Sequence, residues 1–394
     1  MNPQRLFDTR DGTGGRLGPL VAGESWPFVI RGQYGVPAEA VAVAINLTAV
    51  DATTATYVTA WPGGQTRPLA SNLNPVPGMA VPNLAIIRLG TGGDVNFFNN
   101  TGNVHLLADV VGYFRDGTSI GMEPLAPARL LDTRDGTGDH LGALGGGQML
   151  DLQVAGRGGV SDNPEAVALN VTVTGPTAGS FLTVWPSGEP RPFASSVNMI
   201  PGQTVPNMVL ARVGANGKVS IYNNTGSTEV VVDVLGCFDS DASGRYVALS
   251  PKRVLDTREG LGAPLAKVGQ TPLPLMLLGK GGVPSSGVSG VMLNVTAVAP
   301  TANTFITVYP GGTARPMASN LNVSGGQWRY LMAQLVGVAC AIGLMFAGGR
   351  LFGLVGIALG MALSHVIYGV VLRAVAARTE LVGEDSQGGN RQDC

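Results

Sequence analysis

The clearest pattern in the chain is alternation. Val41, Val43, Ile45 and Leu47 alternate with Ala42, Ala44, Asn46 and Thr48, the period of a strand with one face in a core and the other toward water. Val167, Leu169, Val171 and Val173 repeat it opposite Asn170 and Thr172. About eight short strands are predicted in the first such unit: RLFDTR, WPFVIRG, VAVAINLTAV, TYVTAWP, SNLNPV, PNLAIIRL, DVNFFNN and VHLLADVVGYF. DATTA, GGQTRP, PVPG, GTGG and NNTGN supply the turns between them. Eight strands at this spacing predict an antiparallel β-sandwich of jelly-roll type. Two four-stranded β-propeller blades per unit are the alternative that the same spacing allows.

The pattern is periodic on a larger scale. WPGGQTRPLASNLN at Trp61–Asn74 returns as WPSGEPRPFASSVN at Trp185–Asn198 and as YPGGTARPMASNLN at Tyr309–Asn322, an offset of 124 residues each time (185 − 61 and 309 − 185). A fixed period of this kind sets the architecture before any local motif is weighed. The domains predicted are 1–115, 127–239 and a truncated 251–327, with polar or Gly-containing linkers. Asp8, Asp132 and Asp256, then Asn46, Asn170 and Asn294, then Asp109 and Asp233, hold the same spacing.

The third unit keeps register only as far as Gln327. By the offset its last three strands would occupy about 328–362, and no such sequence is there. Three strands burying about three apolar side chains each, at roughly 1.5–3 kcal/mol apiece, amount to on the order of 15–25 kcal/mol, against a domain stability of about 5–15 kcal/mol. The third unit is therefore not expected to fold as the others do unless strands come from elsewhere. A fusion, frameshift or assembly joint near Gln327 would explain the break.

Beyond Gln327 the chain changes character. Tyr330–Gly348 is 19 residues without a charge, and Leu351–Leu372 is 22 with His365 as its ionisable group. As helices they would be roughly 28 and 33 Å long, enough to cross a hydrocarbon core of about 30 Å. We expect a transmembrane hairpin over 330–372, with Gly356 and Gly360 permitting close helix approach, and a polar disordered tail over 373–394. Arg329, Arg373 and Arg378 against Arg350 would place both ends, and the repeats, inside, whereas the repeat composition argues for the outside.

Composition adds limits. Only 13 % of residues are charged and 58 are glycine, which suits turn-rich β structure. A net charge of −1 gives no electrostatic basis for binding nucleic acid. The three cysteines, Cys237, Cys340 and Cys394, make neither a disulfide framework nor a metal pair. The sequence opens directly on repeat material, NPQRLFDTR, so an envelope protein is expected either to have its start missing here or to depend on something else for export.

Candidate chemistry is sparse. In the DTRDGTG run, Asp8 and Asp11, Asp132 and Asp135, and Asp256 and Glu259 could hold Ca²⁺ through carboxylate oxygens; a buried Asp–Arg pair at a strand end accounts for the same residues. Tyr57 and Trp61, Phe181 and Trp185, and Tyr309 share strand faces by parity. With Arg67, Asn72, Asn74, Arg191, Asn198, Arg315, Asn320 and Asn322 they could form a sugar-stacking platform, or fill the core. Asp109 and Asp233 lie within apolar strands and need partners, for which Arg10 and Arg67 are candidates. Asn46-x-Thr48 matches a glycosylation sequon but sits mid-strand. With histidines only at 105, 140 and 365, no catalytic set is predicted, and no enzyme activity.

PxRLLDTRxGTG, NVTAVxPTAxxFxTVWPxGxxRPxASNxN and YNNTGxxxVVxDVxGxF together resemble tandem modules of secreted and cell-surface actinobacterial proteins, over residues 3–327. The resemblance implies an envelope location and adhesion or cell-wall association. Together with the residues above, it leads us to expect a non-enzymatic protein with wall polysaccharide or another glycan as partner, anchored in the membrane through 330–372. RLFGLVGIALGMALSHVIYGVVLRAVAAR looks like the last helices of polysaccharide or lipid flippases, so a transporter fragment is one alternative. Accessory modules of a secreted hydrolase are another.

Overall fold

The structure is a computed structural model that describes residues 1–323 except 118, 119, 243, 248, 250, 303 and 317–319. The expected transmembrane hairpin and polar tail lie outside the described residues. Among those described, no helix is long and apolar enough to cross a membrane.

The first repeat carries seven strands: β1 (Gln4–Asp8), β2 (Ser25–Val29), β3 (Ala40–Val50), β4 (Val58–Pro62), β5 (Val81–Arg88), β6 (Asp94–Asn99) and β7 (His105–Arg115). They form two antiparallel sheets, ordered β1-β7-β3-β5 and β2-β6-β4. The second repeat carries β8 (Gly121–Asp132), β9 (Met149–Gln153), β10 (Ala166–Thr174), β11 (Ser180–Pro186), β12 (Val197–Met199), β13 (Thr204–Arg212), β14 (Lys218–Asn223) and β15 (Glu229–Asp239). Its sheets read β8-β15-β10-β13 and β9-β14-β11-β12. Each repeat is thus a β-sandwich whose last two strands are central, one in each sheet. Consecutive strands mostly cross between sheets, so the propeller alternative is excluded: a blade would place consecutive strands side by side.

Each sandwich has its own apolar interior. Phe7, Phe28, Ile30, Val43, Ile45, Leu47, Val58, Val95 and Phe97 belong to the first; Leu131, Leu152, Val154, Val167, Leu169, Val171, Val184 and Val232 belong to the second. In the first, Phe7 meets Trp26, Phe28 and Phe97 edge-on, with ring centroids 4.8–5.1 Å apart, a geometry favoured by the ring quadrupoles.

The alternation in β3 is real, but its polar face is not wet. Ala42, Ala44, Asn46 and Thr48 are buried along with Val43, Ile45 and Leu47. The small-residue face packs on the next repeat, where Ala44, Ala168 and Leu210 form a separate apolar cluster with Leu84, Ile86, Val111, Phe114 and Phe238 around it. A strand expected to be half-buried is therefore buried on both faces.

The third repeat differs. Among its described residues the strands are β16 (Thr304–Ile306) and β17 (Leu321–Val323), and none lies between 251 and 302.

Candidate functional site

Two structures recur with the repeat, and both account for residues singled out by sequence. The first is the DTRDGTG turn. Asp8 is 2 % exposed; its Oδ1 accepts Arg10 N and Nε, both at 3.0 Å, and its Oδ2 accepts Arg10 Nη2 at 2.7 Å and Arg5 Nη1 at 3.0 Å. Asp132 is held likewise by Arg134 and Arg129, and Asp256 by Arg258 and Arg253. Asp11 and Asp135 accept the backbone N–H of Thr13 and Thr137 at 2.9 Å. The oxygens of Asp8, Asp132 and Asp256 that would face Ca²⁺ are occupied by guanidinium groups. Among the described residues no group of three metal-ligating side chains forms.

The electrostatics arise from these contacts. Burial pushes Asp8 up, but the Arg10 hydrogen bonds and the charges of Arg10 and Arg5 outweigh it, so the carboxyl lies below its usual range. Arg134 holds Asp132 down, and Arg258 holds Asp256 down. Asp109 and Asp233 are opposite: burial dominates and raises both, despite a guanidinium on each. Their partners are not the arginines expected. Arg5 Nε reaches Asp109 at 2.6 Å and Arg129 Nε reaches Asp233 at 2.5 Å, because β1 pairs with β7 and β8 with β15. One arginine thus ties the turn aspartate to the central-strand aspartate in each of these two repeats.

The second structure is the Trp61–Asn74 block, which folds back over its own strand. Thr59 Oγ1 donates to Ala70 O at 2.7 Å, Trp61 Nε1 to Gln65 O at 2.9 Å, and Ala60 N to Asn72 Oδ1 at 2.7 Å. The second repeat matches with Thr183 to Ala194, Trp185 to Glu189, and Val184 N to Ser196. In the third, Val308 N donates to Asn320 Oδ1 at 2.6 Å. The flap corrects the platform expectation for two of its residues. Trp61 and Trp185 are 5 % and 3 % exposed, and their indole N–H groups are used internally, so neither presents a face for a sugar. Tyr57 and Phe181 are half-buried. Arg67 and Arg191 lie outside, 3.5 Å over Phe98 and 3.7 Å over Tyr222. Asn72 is half-buried, as are Asn198, Tyr309, Asn320 and Asn322, while Asn74 and Arg315 are exposed.

The far end of the flap meets another repeat. Asn46 Nδ2 donates to Ser195 O at 2.5 Å and its Oδ1 accepts Asn207 Nδ2 at 2.9 Å. Asn294 does the same to the first repeat, donating to Ser71 O at 2.6 Å and accepting from Asn83 Nδ2 at 3.2 Å. Asn207 also bonds Ser196 O at 2.7 Å, and Asn83 bonds Asn72 O at 2.8 Å. Each of these asparagines therefore joins a flap to β3, or to the segment equivalent to β3, in a neighbouring repeat. Ser71, Asn83, Ser195 and Asn207 were not singled out by sequence. Their signal is a shared 124-residue offset, the same that marks Asn46 and Asn294.

No family model matches the chain, and no curated protein matches it. Among solved structures a match is the subject of "The Triple Jelly Roll Fold and Turret Assembly in an Archaeal Virus". It is 10 % identical with a TM-score of 0.15, over 56 % of this chain and 56 % of that one. At that TM-score the likeness carries no argument, and the match spans little more than half of that chain.

Proposed function

We propose that the protein is a non-enzymatic repeat scaffold of the cell envelope, built from jelly-roll-type sandwiches and binding wall glycan through the tips of its flaps. The observation that carries this reading is the division of labour within the block. Its tryptophans, threonines and asparagines are used to build and join the repeats, while Leu69 at 85 % and Phe193 at 94 % exposure project at equivalent places. Each lies two residues from an exposed arginine stacked on a ring. An apolar side chain beside a guanidinium suits the C–H face and hydroxyls of a sugar. Leu17, Leu141 and Leu265, all 71–76 % exposed, form a second repeated set of tips. The resemblance to actinobacterial surface modules supports an envelope location, and the apolar stretch over 330–372 supports a membrane tether.

The test is retention of the full chain, in detergent, on insoluble peptidoglycan and on purified wall polysaccharide. Wild type should be retained on one of them, and the Leu69→Ser/Phe193→Ser double variant several-fold less. Both positions are on the surface, so folding should be unaffected. Absence of retention on either material refutes the binding role.

A further inference from the structure

We infer that the third repeat is an open half-domain that takes up three strands from another polypeptide carrying the second half of this same repeat. The intact repeats define the complement. In both, the last two strands are the central ones: β7 lies between β1 and β3, and β15 between β8 and β10, while β6 and β14 divide the other sheet. The offset of 124 would put their counterparts, with that of β5 and β13, within 328–363, where the sequence no longer follows the repeat. Removing central strands leaves the first half of a sandwich with no sheet to join.

Its exposed residues match that description position by position. Phe28 and Leu152 are 7 % and 1 % exposed, and the equivalent Met276 is 66 %. Ile30 and Val154 are both 0 %, and Leu278 is 44 %; Val43 and Val167 are both 0 %, and Val291 is 41 %. Ala60 and Val184 are 0 % and 1 %, and Val308 is 38 %. Core positions from three strands of the intact repeats thus face outward.

A second observation specifies the partner. Arg5 and Arg129 each bridge a turn aspartate and a central-strand aspartate. Arg253 holds Asp256 at 3.0 Å in the same way, but among the described residues no carboxylate stands where Asp109 and Asp233 stand; the offset places Ile357 there. The incoming strand should therefore bring an aspartate, as VVxDVxGxF does. The half-domain is also already docked, because Asn294 makes the bonds to Ser71 and Asn83 that Asn46 makes to Ser195 and Asn207. Pairing of an incoming strand with the segment around Asn294 would gain main-chain hydrogen bonds, with side-chain pockets giving specificity. A second copy of this chain is a poor donor, since its two complements are the inner strands of folded sandwiches. The donor is a different chain with an unpaired second half.

Strand uptake of this kind is independent of glycan binding. The probe is a labelled peptide of Thr204–Asp239, mixed with the full chain in detergent and followed by fluorescence anisotropy and hydrogen exchange. The expected result is saturable one-to-one binding that protects amides over 288–296. A peptide with Asp233→Asn should bind at least tenfold more weakly, a change that leaves the folding of the receptor untouched. Three results would overturn the inference: no saturable binding, as when the chain's own later residues fill the site; equal binding of the Asp233→Asn peptide; or protection confined to the first two repeats.

Discussion

Asn46→Ala offers the sharpest test of how the repeats are joined. In β3 the Asn46 side chain donates to Ser195 O and accepts from Asn207 Nδ2, and it is 4 % exposed. Truncation removes two hydrogen bonds worth about 0.5–1.5 kcal/mol each, one of them to the carbonyl of the half-buried Ser195, so the expected loss is about 1–3 kcal/mol. Asn207→Ala removes three, to Asn46, to Ser196 O and from Leu84 N, for about 2–4 kcal/mol. The two variants share one bond, so the double variant should fall short of additivity by about 0.5–1.5 kcal/mol. Native-state hydrogen exchange on the full chain is the assay, since it separates local from global opening. The loss should appear in β3, β5, β10 and β13, which meet across the junction. Gln4–Asp8, on the far edge of its sheet, should change by less than about 0.5 kcal/mol. Strict additivity, or equal loss in every strand, would refute the idea that these asparagines act between repeats.

Three further outcomes are expected. Arg5→Met leaves the buried Asp109 without its guanidinium and should cost about 3–5 kcal/mol, whereas Arg5→Met/Asp109→Leu should regain most of it in urea unfolding. A Cβ at Gly14 (φ +78°) would lie 2.6 Å from both Leu6 O and Phe7 Cβ; Gly14→Ala should lose about 2–4 kcal/mol by thermal unfolding. Gly15→Ala, also at positive φ but with nothing within 4 Å, should lose only about 1–2 kcal/mol. The acid response should carry two opposing parts. Asp8 and Asp132 have lowered folded values, so their stabilisation is present above about pH 3.9 and is lost as pH falls through those values. Asp109 and Asp233 have raised values, so theirs is full below about pH 3.9 and is lost as pH rises through them. Urea midpoints over roughly pH 2.5–6 should therefore fall less steeply with acid in Asp8→Asn/Asp132→Asn and more steeply in Asp109→Asn. The same slope in all three proteins would contradict these assignments.

By itself the sequence determined the class and the units. Alternation in 41–48 and turn signals every few residues require antiparallel strands, and an offset held from Trp61 to Asn322 requires like repeats, because both are properties of local backbone and linear order. It also showed that Asp109 and Asp233 need partners. Which arginines they take was decided only by pairing of β1 with β7 and β8 with β15, a register between residues 104 apart in the chain. The aromatic parity of Tyr57 and Trp61 was legible, yet it could not say whether solvent or protein covers that face. The flap covers it, and so turns a platform residue into a buried one. Most of all, the polar side of β3 reads in sequence like any water-facing strand. Asn46 and Ala44 are buried there because another repeat packs on them, and a one-dimensional pattern records which residues share a face but not what lies against it.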